Sequence, residues 1–271
     1  MKRLIIVFIV LCLSALTVNN AWGMSTLYMV QERIGQDDLL LKYESGSLIT
    51  VGSIGFSDVR GLAYDATSET LFGVSRASNR LIIVDIGTGV GTAVGDNLYL
   101  PHGSNTAEIS TRMDGELFGI GHLYDMYTND TLLDVDELTG IATPISEMGE
   151  EMCGLAFDHH TDTLYGSSYY GELYTIDPNS GVATFLGNIT GTDGTVARIT
   201  FDQSDGVLYG ITTSRQLVTI DIPNLVGTEV VKFPGFQIYA LDFQSQVPEP
   251  TTIALLGLGG LMIRRSNNKR E

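Results

Sequence analysis

Four histidines, two cysteines and 32 acidic side chains are the groups from which this 271-residue chain could build a catalytic or metal site. The histidines are His102, His122, His159 and His160, and none falls in HExxH or a comparable ligand spacing. His159-His160 follows GLAFD, where a solvent-exposed pair in a turn is expected and a zinc site is the weaker reading. Cys153, in MCGLAFD, reads as a small buried apolar residue, since no neighbouring base is evident to activate its thiol. The Asp-rich turns TDTLYG and DPNSGVA invite calcium, which needs six to eight oxygens and usually several acids from one loop. No DxDxDG loop is present, so a weak structural calcium site is the most they support, and no cofactor is expected. A GxSxG elbow, a P-loop and a dinucleotide fingerprint are all missing. GTGVG near Gly87 lies in a hairpin rather than between a strand and a helix, so it is not a phosphate loop.

The elements that must position these groups follow from an internal period of about 45 residues. GLAYDATSETLFGVSRASNRLIIVDIGTGVGTAVG (Gly61 to Gly95) is echoed by units from Gly154 to Gly187 and from Arg198 to Val231, and by a divergent one from Ala107 to Ile145. In each full unit a strand of alternating apolar residues ends at an aspartate (Asp65, Asp158, Asp202). A polar turn and a Leu-aromatic-Gly strand follow: Leu71-Phe72-Gly73, Leu117-Phe118-Gly119, Leu164-Tyr165-Gly166, Leu208-Tyr209-Gly210. A third strand ends at Asp85, Asp136, Asp177 or Asp221, and a turn rich in Gly, Asn and Pro leads to a fourth.

Short period-2 strands joined by such turns predict antiparallel hairpins, and four strands per unit predict a propeller blade. No stretch of the body carries a sustained helical stripe. Residues 26–54 (LYMV, DDLLLKYE, SLITVGSIG) read as a blade lacking its first strand, and IYALDF, from Ile238 to Phe243, as a first strand lacking its blade. Pairing them closes the ring and removes its open edges. The expectation is an all-β propeller of about five four-stranded blades over residues 24–245, six if residues 96–105 hide another. The aspartates should cap turns, the Leu-aromatic pairs should pack between blades, and the glycines should serve turns or close approaches. Ligands of propellers enter at a channel mouth, so His102, His122, Tyr124 and Asp125, in the divergent region, are the candidate mouth residues.

Charge divides the chain into three parts. The formal net charge is −17, yet between Met24 and Pro250 only nine basic residues face 31 acidic ones. A body so acidic repels nucleic acid and anionic lipid through its field and is expected to be very soluble. Lys2, Arg3 and the apolar run Leu4 to Leu16, with Ala21 and Gly23 flanking a cut after Gly23, read as a secretory signal peptide over residues 1–23. An uncleaved anchor is the weaker alternative, because the run is short. Residues 246–271 contain Val247-Pro248-Glu249-Pro250, whose prolines end regular structure. An uncharged span, 251–263, comes next; as a helix it would be about 20 Å long against a hydrocarbon core of about 30 Å. Arg264 and Arg265 then supply a positive-inside signal.

This terminus, with VPEP, GLGGL and RR in that order, resembles the PEP-CTERM sorting domain. The resemblance implies recognition of Pro248, Glu249 and Pro250 by exosortase, an integral-membrane protease of exopolysaccharide-producing Gram-negative bacteria. It further implies passage through the Sec translocon, transient residence in the inner membrane as an anchored precursor, and delivery to the cell surface or matrix. The body resembles YVTN-like and WD40-like propellers, but it lacks the GH…WD residues, so that likeness stops at fold. The functional expectation is therefore a binding or structural component of the surface or exopolysaccharide matrix, with no nucleic-acid partner. An exported glycan-active or lactonase-like propeller enzyme is the alternative; it would need convergent acids at one channel mouth.

Overall fold

The computed structural model describes residues 25–95, 105–122 and 130–244, and every regular element among them is a strand or a turn. The first blade is formed by β4 (Val59–Asp65), β5 (Thr70–Ser75), β6 (Arg80–Val84) and β7 (Gly91–Val94), after three strands described below. The second comprises β8 (Asn105–Thr111), β9 (Leu117–His122), β10 (Thr131–Val135) and β11 (Ala142–Glu147). The third comprises β12 (Met152–Asp158), β13 (Thr163–Ser168), β14 (Glu172–Ile176) and β15 (Ala183–Asn188). The fourth comprises β16 (Val196–Asp202), β17 (Val207–Thr212), β18 (Gln216–Asp221) and β19 (Val226–Lys232). The fifth is shared between the two ends of the chain: β20 (Ile238–Phe243) pairs with β1 (Leu27–Gln31), followed by β2 (Leu39–Glu44) and β3 (Ser47–Ser53).

Within each blade the strands pair antiparallel, and the inner strands β20, β4, β8, β12 and β16 pack side by side into a closed ring. The architecture is a five-bladed propeller. The joint is continuous, with Leu27 opposite Phe243, Met29 opposite Leu241, and the Gln244 amide donating to the Thr26 carbonyl at 2.9 Å.

The core is five cores, one between each pair of neighbouring blades. Phe72, Val74 and Leu81 of the first blade meet Ile109, Leu117 and Leu133 of the second; Phe118 and Leu132 then meet Leu155 and Phe157 of the third. Ala156 and Leu173 meet Ile199 and Leu208, Ile211 and Leu217 meet Leu27 and Phe243, and Val30 and Leu40 meet Leu62 and Leu71. The alternation in each strand thus serves two neighbours, one per face, and the Leu-aromatic pairs pack between blades as expected.

The inner strands all begin at one end of the ring, the upper end, and finish at the other, the lower end. Lower-end turns are built on the recurring aspartates. Buried Asp65 accepts from the amide of Thr67 at 2.8 Å and from the hydroxyl of Ser68 at 2.6 Å. Asp202 accepts from the Ser204 amide at 3.0 Å and the Asp85 carboxylate from the Thr88 amide at 2.7 Å; Asp136 and Asp177 repeat the Asp85 pattern. These short polar side chains replace missing backbone partners, which is why the residue recurs. The first strand of the divergent second blade ends in Thr111 instead, and its hydroxyl donates to the Tyr64 carbonyl of the first blade at 2.8 Å.

Each inner strand also carries a bulge near its upper end. The register skips Arg60, Ala107, Cys153, Ala197 and Tyr239, one in each blade. An extra residue bends the strand and re-aims it, and five equivalent bulges repeat that bend around the ring. Gly154, one residue beyond its bulge, has no room for a side chain: a Cβ there would sit 2.9 Å from the Ile199 amide nitrogen of the next blade.

Candidate functional site

The glycines just past the bulges in the first and third blades are Gly61 and Gly154; the corresponding residues in the second and fourth are Glu108 and Arg198. These two large side chains meet inside the ring, with Arg198 Nε 3.3 Å from Glu108 Oε2. Glu108 is only 3% exposed, and that oxygen makes no hydrogen bond. Burial pushes its carboxyl well above the usual carboxylate range; Arg198 pulls it back only in part, and Asp242 pushes it further up. Arg198 Nε also donates to the Tyr239 carbonyl at 2.9 Å and Nη1 to the Cys153 carbonyl at 2.5 Å, and the guanidinium lies against the Cys153 thiol.

Above this pair, between the fourth and fifth blades, opens a cleft of about 300 Å³. Tyr169, Ala197, Arg198, Ile211, Thr212, Thr213, Arg215, Gln237, Ile238 and Tyr239 line it. The third blade contributes through the β13–β14 turn, where Tyr169 is 59% exposed and stands edge-on to Tyr170 at 6.2 Å between ring centroids. Tyr239, a bulged residue, carries the Arg60 guanidinium 3.9 Å over its ring, a cation–π contact. Arg60 is tied in turn to Glu32 at 3.0 Å and to Asp58. Arg215 makes no ion pair or side-chain hydrogen bond among the described residues, and its φ of 66° lies in the left-handed region. The equivalent turn positions in the first and third blades are Asn79 and Gly171, residue types that accept this conformation readily.

The two ends of the ring differ in charge. Of the body's basic residues, Arg33, Arg60, Arg76, Arg80, Arg198, Arg215 and Lys232 lie at the upper end, whereas Arg112 lies at the lower end beside Asp162 and Lys42 pairs with Glu44. The aspartate turns fill the lower end, and no acidic residue lines the cleft.

Between the ends sits Asp242, half-buried among the inner strands. It accepts from the Tyr64 amide at 2.5 Å and from the Thr200 hydroxyl, joining the fifth blade to the first and fourth. Burial, against the pull of these bonds, pushes its carboxyl up to about 7. A polar void of about 10 Å³, room for one water, lies beside it.

Of the residues expected at the mouth, His122 ends β9 at the upper end, with Nδ1 2.5 Å from Asp130 Oδ1. Asp130 also accepts the Met152 amide at 2.6 Å, so this pair fastens the second blade to the third. His102, Tyr124 and Asp125 lie outside the described residues, as do Ala21, Gly23, Val247, Pro248, Glu249, Pro250, Arg264, Arg265 and the span 251–263. The expected exposed pair His159-His160 divides: His160 is exposed, but His159 is half-buried, its Nε2 2.9 Å from the Thr111 carbonyl. Burial lowers its pKa, and its ring packs near Phe157. Cys153 is half-buried at the bulge rather than fully buried, and burial raises its thiol pKa. Among the described residues no group of three or more His, Cys, Asp or Glu could hold a metal, and no helix is long and apolar enough to cross a membrane.

Sequence reasoning missed the cleft itself. Its signal was a break in the repeat: Arg198 where the first and third units have Gly61 and Gly154, and Arg215 where they have Asn79 and Gly171.

Fold and cleft define a five-bladed propeller with a basic-lined opening. Similar solved structures share that fold at low identity. A chain of a nidogen–laminin complex matches with a TM-score of 0.52 at 13% identity, over 82% of this chain and all of that one. A gluconolactonase of Xanthomonas campestris matches at 0.52 and 14%, over 79% and 78%, and TolB of Acinetobacter baumannii at 0.50 and 16%, over 78% and 54%. No curated protein matches the chain. The chain carries a PEP-CTERM protein-sorting motif at residues 246–266, which implies exosortase-dependent export from a membrane-anchored sorting signal.

Proposed function

We propose that this protein is an exported propeller that exosortase sorts to the cell surface or exopolysaccharide matrix of a Gram-negative bacterium, where it acts as a binding component. On this reading residues 1–23 are removed after Gly23 on passage through the Sec translocon. The span 251–263, with Arg264 and Arg265, holds the precursor in the inner membrane while Pro248-Glu249-Pro250 is recognised.

The observation that carries the reading is the placement of the chain ends. Ser25 donates to Asp202 at 2.8 Å and Gln244 pairs with Thr26, so both ends of the body leave from the lower end, opposite the cleft. Only three residues separate Gln244 from Pro248, at most about 14 Å of extended chain. A body tethered so closely turns its aspartate-rich lower end toward the membrane and its cleft outward. The tether sets this orientation; repulsion between the acidic lower end and anionic lipid holds the body off the surface and keeps the sorting motif accessible.

The test is to express tagged protein in a host with and without exosortase and to compare its C-terminal mass and location. Release of a form ending near Pro250 only when exosortase is present supports the reading. An intact tail in both hosts overturns it.

A further inference from the structure

We propose that the cleft between the fourth and fifth blades binds a carboxylated sugar, its carboxylate held by Arg215 and Arg198 and its ring laid on Tyr169. The inference deepens the binding role proposed above and rests on it only for what the ligand is attached to; the chemistry is argued from the cleft alone.

The first argument is charge. In a chain of net charge −17, chance should furnish any opening with acids, yet this one is lined by two arginines and no carboxylate. Arg215 makes no ion pair or side-chain hydrogen bond among the described residues, and Arg198 lines the cleft beside it. Its acid neighbour Glu108 lies deeper in the ring, where burial favours the neutral carboxyl and leaves the guanidinium charge incompletely cancelled. A guanidinium offers planar paired donors matched to a carboxylate.

The second is backbone. A left-handed conformation is unfavourable for a long side chain; Arg215 shares it with six other non-glycine residues, Glu69 and Leu225 among them, but is the one of the seven that lines the cleft. Glycine or asparagine serves in the sister turns, so the turn itself does not require arginine.

The third is shape. A volume of 300 Å³ is at the small end for ligand sites and suits one or two sugar rings. Exposed Tyr169 offers a flat face for the apolar side of a pyranose, while Gln237 and Thr213 offer hydroxyl partners. An inorganic anion would have no use for the tyrosine, and a neutral sugar none for the unpaired arginine.

The test is calorimetric titration of the purified full chain in detergent with glucuronate, glucose, sodium sulfate and an oligo-glucuronide. Glucuronate or its oligomer should bind saturably, at least about tenfold tighter than glucose or sulfate. Preference for the oligomer identifies a polymer as the source; equal affinity per residue identifies the free sugar acid. Arg215→Gly relieves the left-handed strain and so should fold at least as well, yet bind at least about tenfold more weakly. Tyr169→Ala should weaken glucuronate binding and leave the weak sulfate binding unchanged. Arg112→Gln, at the lower end, should bind as the native chain does. Glucose binding as tightly as glucuronate, sulfate binding as tightly, no binding at all, or undiminished binding by Arg215→Gly would each overturn the proposal. None of these outcomes touches the exosortase experiment, so the two readings fail separately.

Discussion

The two ends of the propeller are made from the same repeat and do opposite things with it. At the lower end the first four blades solve most of their turns with the same short acid: Asp65, Asp158 and Asp202 after first strands, Asp85, Asp136 and Asp177 after third strands. At the upper end the five bulges are equivalent in backbone but unlike in side chain: Arg60, Ala107, Cys153, Ala197, Tyr239. Repetition is cheap where the only requirement is to satisfy backbone amides. Variety is needed where a single asymmetric opening must be built on a ring of near-identical units. The cleft lies where the repeat is broken, and the chain ends leave where it is kept.

The largest expected effect belongs to neither end but to the acid between them. The folded protein holds the Asp242 proton up to about pH 7, whereas the unfolded chain releases it near pH 4. Between those values the folded state binds more protons, so this contribution is fully present at lower pH and is lost as pH rises to about 7. The slope is about 1.4 kcal/mol per pH unit, on the order of 4 kcal/mol across the window. Asp242→Asn keeps one acceptor, for the Tyr64 amide, and turns its NH2 toward the Thr200 hydroxyl, which can accept; it should flatten that fall in urea-unfolding free energy measured from pH 4 to 8. An unchanged slope would assign the loss to other groups, Glu108 first.

Gly154→Val comes next. Its side chain would press on the Ile199 backbone and on Ser167 Oγ, and overpacking of this kind costs about 3 kcal/mol. Because it displaces the strand that carries Arg198, it should lower both the thermal midpoint and ligand affinity, breaking the separation between the ends.

Asp202→Ala sharpens that separation. It removes the acceptor of the Ser25 and Ser204 donors, a loss of about 2 kcal/mol that should lower the thermal midpoint by roughly 4–8 °C while binding at the upper end stays unchanged. The smallest effect on stability is that of Arg215→Gly, a gain of no more than about 1 kcal/mol from the relieved φ. A marked loss in its thermal midpoint would show the arginine to be a structural part of the turn.

Much of this architecture was legible in the sequence because it is local. Period-2 apolar residues specify strands, Asp followed by Thr, Ser or Gly specifies turns, and a fixed period specifies equivalent blades; even closure was readable, since IYALDF lacked a blade and LYMV lacked a first strand. His159 escaped that reading because its burial depends on Thr111, 48 positions away, as did the environments of Glu108 and Asp242. The sequence by itself therefore determined the ring, its turns and the sorting motif at residues 246–266. Only the tertiary structure decided that Tyr169, Arg198, Arg215 and Tyr239 share one opening, on the end away from both chain ends. The physical reason is that strands and turns are set by neighbours along the chain. A cleft between blades is set by closure of the ring, which brings together residues the sequence keeps apart.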